Sequence, residues 1–473
     1  MSGYAISVLV GTGKSTVAQA LAERLLRSVH VRGDAFRRMV VNGAVEMIPP
    51  PSEKGLSSGH VLWPRSVSAV RDAPPGGWRR NRSTRESTTL NEILVQGSVA
   101  AGFEEVREEF AAVVAEEPGG PGAQLAAYVH GRQVVDLWAG EEMTGDSLTG
   151  VFSSTKGAAT LTVALLVQDG VLDLDEPVAR SWPEFTAGGK GGITLRDVLT
   201  HRSGLVGVEG GLPLEEIADD RVIAARIAGQ RPLWRPGTAY GYGGFVTFAI
   251  VGEVVRRVTG QSIQEHYEER IRAPYGLDLY LGLPEALEER YLDVLPWLAT
   301  PEMLEAFAAN NTPSPHSIGG MSYNLSVFQV ADVLDFPNHR VVRALGQASG
   351  GGVGSARGLA ALYAAAISEV DGRAPLLKPD TLAEFSMIHS TGKDLVGGDR
   401  AHYAVGFKAE GLSYPFLSAN AFGHDGSAGS EAFADPRGGV AYGYTRRRAA
   451  FGFYAPENNR LAAAVMRAAT AIS

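Results

Sequence analysis

Two residues three apart, Ser153 and Lys156, carry the most chemistry in this 473-residue chain. A serine hydroxyl is a weak nucleophile until a neighbouring base takes its proton, and a desolvated lysine with a lowered pKa can be that base. On a helix, positions three apart share a face, so the spacing sets the amine of Lys156 over the hydroxyl of Ser153. The flanking text supplies the support: Leu148 to Phe152 ends an extended run, and Gly157 to Gln168 is small and apolar all round, as a helix inside a large core would be. A Ser-x-x-Lys spacing alone is common and usually solvated. The uncharged helix behind this one gives it weight, because a lone buried charge is costly without a purpose.

Two later segments could complete a serine site. Pro236 to Gly244 (PGTAYGYGG) places tyrosines in a glycine-rich turn before an apolar helix, where Tyr242 could point into a cleft. Gly423-His424-Asp425-Gly426-Ser427 precedes the last hairpin. Glycines at a strand edge let a substrate approach the backbone closely, and a free N–H there can act as an oxyanion donor. The plainer readings are a packing tyrosine and a turn with an exposed histidine.

Two other motifs lack the context their chemistry needs. Gly11 to Thr16 (GTGKST) resembles the start of a P-loop kinase, which would act through Lys14 and Ser15. A phosphate loop needs a glycine five residues before its Gly-Lys pair, and Val8 stands there. The stretch reads as a truncated remnant. Gly55 to Gly59 (GLSSG) matches a nucleophile elbow around Ser57, but an elbow requires a strand before it and a helix after it. Here it lies in a Pro- and Ser-rich stretch.

Charge divides the chain. Residues 1–90 hold 13 Lys and Arg against 6 Asp and Glu, while the remainder holds 30 against 46. With its proline clusters and the run WRRNRSTREST, residues 49–90 read as a linker. The predicted organisation is therefore an N-terminal extension over 1–90 and a regularly patterned globular domain over 96–473. That domain opens with an amphipathic helix at 102–117 and a hairpin turning at His130-Gly131, and ends with a second hairpin turning between Asp435 and Gly439. Strands at both ends predict a sheet built from distant segments, with an inserted all-helical region at about 181–340.

The bulk numbers suit a globular enzyme: 45% hydrophobic, 20% charged and a net charge of −9, which argues against nucleic acid as a partner. The absence of cysteine removes disulfides, thiolate nucleophiles and Cys-type metal sites. No run approaches the ~18 apolar residues of a membrane span, and the apolar stretch Tyr4 to Val10 is too short for a secretory signal. Cytoplasmic location is the expectation.

In order, the motifs resemble those of the serine β-lactamase-like superfamily, specifically the class C-like esterases often called family VIII carboxylesterases. Connecting phrases carry the likeness too: GGITLRDVLTHRSGL at 191–205, GEVVRRVTGQS at 252–262, GGGVGSARGLAALYAA at 350–365 and FGHDGSAGSEAFADP at 422–436. The resemblance covers about residues 96–470. It implies an α+β fold of β-lactamase/transpeptidase type, with a central antiparallel sheet flanked by helices. It also implies roles: Ser153 as the acylated nucleophile, Lys156 and Tyr242 sharing general-base duty, and Tyr242 protonating the leaving group, with Tyr240 a less fitting substitute. His424 stands where β-lactamases carry a lysine, and the N–H groups of Ser153 and Ser427, beside Gly426, would form the oxyanion hole. Gly244 replaces the asparagine that holds a β-lactam amide. Both departures favour a neutral ester over a carboxylated lactam. The expected protein is a serine carboxylesterase for small short-chain acyl esters, without metal or cofactor, open to forming a homo-oligomer. The alternatives are a β-lactamase or a D-amino-acid peptidase or acyltransferase on the same site, a non-catalytic binding protein, and a nucleotide-dependent kinase.

Overall fold

The computed structural model describes residues 94–117, 119–311, 313–399 and 401–472. The phosphate-loop lookalike, the linker over 49–90 and the Gly55–Gly59 pentapeptide lie outside the described residues.

His130 and Gly131 both take positive φ, 49° and 76°, as in the mirror-image two-residue turn whose twist matches antiparallel strands. They join β2 (Ala123–Val129) to β3 (Arg132–Ala139), with Val129 opposite Arg132. The second expected hairpin also forms, between β9 (Glu431–Asp435) and β10 (Val440–Arg446). Asp435 Oδ1 steadies its turn by accepting from the N–H groups of Arg437 and Gly438 at 3.1 and 3.2 Å. β10 then pairs with β2, so the two hairpins meet at the centre of one sheet. With β1 (Gln96–Val99), β7 (Lys408–Ala409) and β8 (Phe422–Asp425), the order is β1-β3-β2-β10-β9-β8-β7, antiparallel throughout.

Strand alternation sorts side chains onto the two faces. Leu125, Ala127 and Val129 pack against helices α1 (Glu104–Glu116) and α5 (Glu457–Ile472), through Val106, Phe110, Leu461 and Val465. On the opposite face Ala126 meets Ala356 and Ala360 of α4 (Ala356–Ile367). A Cβ at Gly443 would lie 2.4 Å from the Ala356 carbonyl, so glycine is needed for α4 to lie this close. Beyond α4 runs α2 (Thr155–Gln168), whose residues from Thr155 to Leu166 are all buried. Full enclosure explains why its sequence shows no polar face.

The region between α2 and α4 is mainly short helices around α3 (Thr247–Thr259), which closes at Gly260 with φ 84°. It is not wholly helical. Leu279–Tyr280 (β5) pairs with Val353–Gly354 (β6), which also pairs with Thr149–Gly150 (β4). Two-residue strands are too short to show an alternating pattern in the text. This small sheet nevertheless matters, because it brings the chain just before Ser153 beside the loop at Gly350–Gly352; the Val151 N–H donates to the Gly352 carbonyl at 3.0 Å. No helix among the described residues is long and apolar enough to cross a membrane.

Candidate active site

Ser153 lies in a one-turn 3-10 helix, Phe152–Ser154, that runs directly into α2. Phe152 before it takes φ 47°, a left-handed conformation that costs a non-glycine residue about 1–2 kcal/mol. Neighbouring hydroxyls hold the turn in place. Ser154 Oγ donates to the His424 carbonyl at 3.0 Å, and Ser430 Oγ donates to the Val151 carbonyl at 2.9 Å. Thr155 Oγ1 donates to the Phe152 carbonyl and accepts from the Gly352 N–H at 2.9 Å. Ser154 and Thr155 are thus consumed by the scaffold, and the hydroxyl of Ser153 faces the site. The N-terminal end of α2 adds the positive pole of its dipole beside that serine.

Lys156 is 0% exposed. Its amine donates to the carbonyls of Ser349 and Gly244 at 2.7 and 2.8 Å and stands 3.4 Å from Ser153 Oγ. Burial lowers its pKa to about 7, against an opposing pull from Asp425 and Asp220. A neutral amine has two N–H groups and one lone pair. With both N–H groups directed at carbonyls, the lone pair is left for Ser153.

Tyr242 donates its hydroxyl to Ser153 Oγ at 2.6 Å, and the Lys156 amine lies 4.8 Å from its ring centroid. Burial holds the phenol well above its usual pKa, against the opposing hydrogen bond with Ser153. The tyrosine therefore rests as a neutral donor. Its loop is fixed at several points: the Tyr242 N–H donates to Asp394 Oδ1 at 3.2 Å, Ser322 Oγ donates to the Tyr242 carbonyl at 2.6 Å, and the Gly244 N–H donates to Ser322 Oγ at 3.1 Å. His201 Nδ1 accepts from the Gly243 N–H at 3.1 Å, and the Tyr403 ring stacks parallel to Tyr242 with centroids 6.0 Å apart. Tyr240 points elsewhere, donating to the Ala401 carbonyl at 3.1 Å.

His424 is buried rather than exposed, with its ring 6.0 Å from that of Tyr242. Its Nδ1 lies 2.8 Å from the Asp425 carbonyl. A carbonyl can only accept, so Nδ1 carries the proton and Nε2 presents a lone pair. Burial, helped by the nearby Lys156, lowers its pKa to about 3, so the ring is neutral. Gly426 gives its N–H to the Ser430 carbonyl at 2.8 Å. A Cβ there would stand 2.4 Å from the Val151 carbonyl, so the glycine allows β8 to approach the nucleophile turn. Ser427 lines one cleft with Ser153, Tyr242 and Gly244; the remaining walls include Phe152, Phe245, Tyr323 and Phe336.

The residues singled out by sequence thus converge, with Ser153, Lys156 and Tyr242 in mutual contact, His424 against Tyr242, and Ser427 on the same cleft. Sequence reasoning missed Ser322, Ser349, Asp394, His201 and Tyr403. Ser349 acts through its carbonyl, which any residue could provide, so no residue type announces it. His201 lies inside the phrase 191–205 and Ser349 borders the glycine run at 350–352, the nearest either comes to a signal.

Comparison with known proteins identifies the family. A family model described as Beta-lactamase matches residues 108–467. Among solved structures, EstA from Arthrobacter nitroguajacolicus Rue61a is 41% identical with a TM-score of 0.73, over 79% of this chain and 98% of its own. A family VIII carboxylesterase is 30% identical with a TM-score of 0.69, over 80% of this chain and 100% of its own. Among curated proteins, the esterase/beta-lactamase LipL of Mycobacterium tuberculosis is 34% identical over 176 residues, 35% of this chain. That match spans 40% of LipL's length. The family model and these similarities show that the chain belongs to the β-lactamase family.

Proposed function

We propose that the protein is a serine carboxylesterase that hydrolyses small neutral esters of short acyl chains through an acyl-enzyme on Ser153. The observation that carries this reading is the three-way contact at the nucleophile: Tyr242 O–H to Ser153 Oγ at 2.6 Å, with the buried Lys156 amine 3.4 Å away on the other side. Separations at a free site are commonly looser than in the reacting complex.

In the proposed sequence, the lone pair of neutral Lys156 takes the proton of Ser153 as Oγ attacks the ester carbonyl. The N–H groups of Ser153 and Ser427 receive the developing oxyanion. On collapse, the alkoxide leaves with the proton of Tyr242, and protonated Lys156, whose amine lies 4.8 Å from the Tyr242 ring centroid, returns a proton to the phenolate. Water then attacks the acyl-enzyme by the same route in reverse and restores Ser153. Protons and charge balance in each half.

Two features favour an ester over a β-lactam. A Cβ at Gly244 would lie 2.5 Å from the Ser322 carbonyl, so the position leaves no space for an amide-binding side chain. Neutral His424 supplies no cation for a carboxylate. The apolar cleft walls likewise suit an uncharged substrate. The similarities to EstA and to a family VIII carboxylesterase support the same reading. Parallel assays of p-nitrophenyl butyrate and a chromogenic cephalosporin test it: ester turnover should exceed lactam turnover by orders of magnitude, and the reverse ranking would reject it. Cytoplasmic location and self-association are further expectations, open to cell fractionation and light scattering.

A further inference from the structure

The two backbone segments whose carbonyls hold Lys156 are tied together from one point. Asp220 Oδ2 accepts from the Ala348 N–H and from Gln264 Nε2, each at 2.9 Å, and its Oδ1 accepts from Gln347 Nε2 at 3.0 Å. Gln347 Nε2 also donates to the Phe245 carbonyl at 2.9 Å, while its Oε1 accepts from the Ser349 N–H at 3.1 Å. Ser349 Oγ closes the circuit by donating to the same Phe245 carbonyl at 3.1 Å. The circuit thus ties the 347–349 loop to Phe245. Ser349 itself, and Gly244 next to Phe245, supply the two carbonyl acceptors for the Lys156 amine.

We propose that Asp220 is a positioning residue for Lys156: with Gln347 it clamps the two backbone segments whose carbonyls, of Gly244 and Ser349, orient the amine toward Ser153. The inference rests on the proposed role of Lys156 as base. Around that amine, among the described residues, lie Asp220 and Asp425, His201 and His424, and the phenol of Tyr242. The two histidines are neutral, so the negative charge acting on Lys156 comes from the two aspartates, one of which is the clamp itself. Asp220 therefore does two separable things, fixing the carbonyls and favouring the protonated amine. Burial, with a smaller push from Asp219, raises its own carboxyl to about 6 against hydrogen bonds from Ala348, Gln264 and Gln347, so it is mostly ionised where Lys156 titrates.

The test is the pH dependence of kcat and KM for p-nitrophenyl butyrate in Asp220→Asn and Gln347→Met, with Ser153→Ala as control. In Asp220→Asn, kcat should fall about tenfold with KM within about twofold, because misplaced catalytic groups lose rate rather than binding. The midpoint of its ascending pH limb should also move to lower pH, since the lost negative charge no longer favours protonated Lys156. Gln347→Met severs the clamp but keeps the charge, so kcat should fall with the midpoint in place. Wild-type kcat in either folded variant, or a raised KM at unchanged kcat, overturns the proposal. Should Asp220→Asn fail to fold, Gln347→Met alone decides it. Full activity in Ser153→Ala would instead reject the esterase site itself, whatever the Asp220 variant does.

Discussion

Tyr242 and Ser153 share a 2.6 Å hydrogen bond across 89 residues of sequence, and in it the tyrosine is the donor. The direction matters. A donating phenol leaves the serine proton free to move to Lys156, and it keeps a proton ready for the departing alcohol. Replacing Tyr242 by Phe should therefore remove both the orientation of Oγ and the leaving-group proton. We expect kcat for p-nitrophenyl butyrate to fall by about 10²–10⁴-fold. The loss should be smaller with better leaving groups, which need the proton less; a loss independent of the leaving-group pKa would contradict the assignment.

The pH profile should have one ascending limb. Neutral Lys156 is the active form, and its pKa is about 7, so kcat/KM should rise as pH passes through that region. His424 stays neutral above about 3 and Tyr242 stays protonated, so neither should add a limb between pH 5 and 9. A His424→Asn variant that lost the limb at 7 would show that the histidine, not the lysine, controls it.

Stability should report the same lysine. Its pKa is about 7 when folded against 10.5 for an ordinary lysine, so between those values the unfolded chain binds the extra proton. Wild-type stability should therefore rise with pH over that window, and the penalty should be fully present below it. In Lys156→Met the penalty is gone. The stability of that variant relative to wild type should accordingly be greatest below about pH 7 and shrink toward pH 10. A difference that stays flat with pH, measured by urea titration at several pH values, would argue that Lys156 is not buried as a neutral amine.

Gly244 should resist the residue that β-lactamases carry there. A side chain would press on the Ser322 carbonyl, 2.5 Å from its Cβ, and overpacking of this kind costs about 1–3 kcal/mol. Gly244→Asn should melt earlier than wild type and gain no cephalosporin turnover. A stable variant with new lactamase activity would reverse our explanation of substrate preference.

Much of this site was legible in the text, and the reason is local. Ser153 and Lys156 are read together because one turn of chain brings them together, and the His130-Gly131 turn is read because two adjacent residues define it. Tyr242 and His424 needed the order of several motifs, since nothing local links them to Ser153. The supports were hidden for a different reason. Ser349 and Gly244 serve through carbonyls, Phe152 through a backbone angle, and β4, β5 and β6 are two residues each. Such features are properties of the assembled backbone, with no side-chain signature to read.

The role of Ser153 as nucleophile is tested by p-nitrophenyl butyrate hydrolysis in Ser153→Ala beside Ser154→Ala and Ser57→Ala. Ser153→Ala alone should abolish turnover through loss of the nucleophile, Ser57→Ala should match wild type, and Ser154→Ala, which loosens the turn, should keep a measurable fraction. Wild-type turnover in Ser153→Ala, or its loss in Ser57→Ala, would contradict that role.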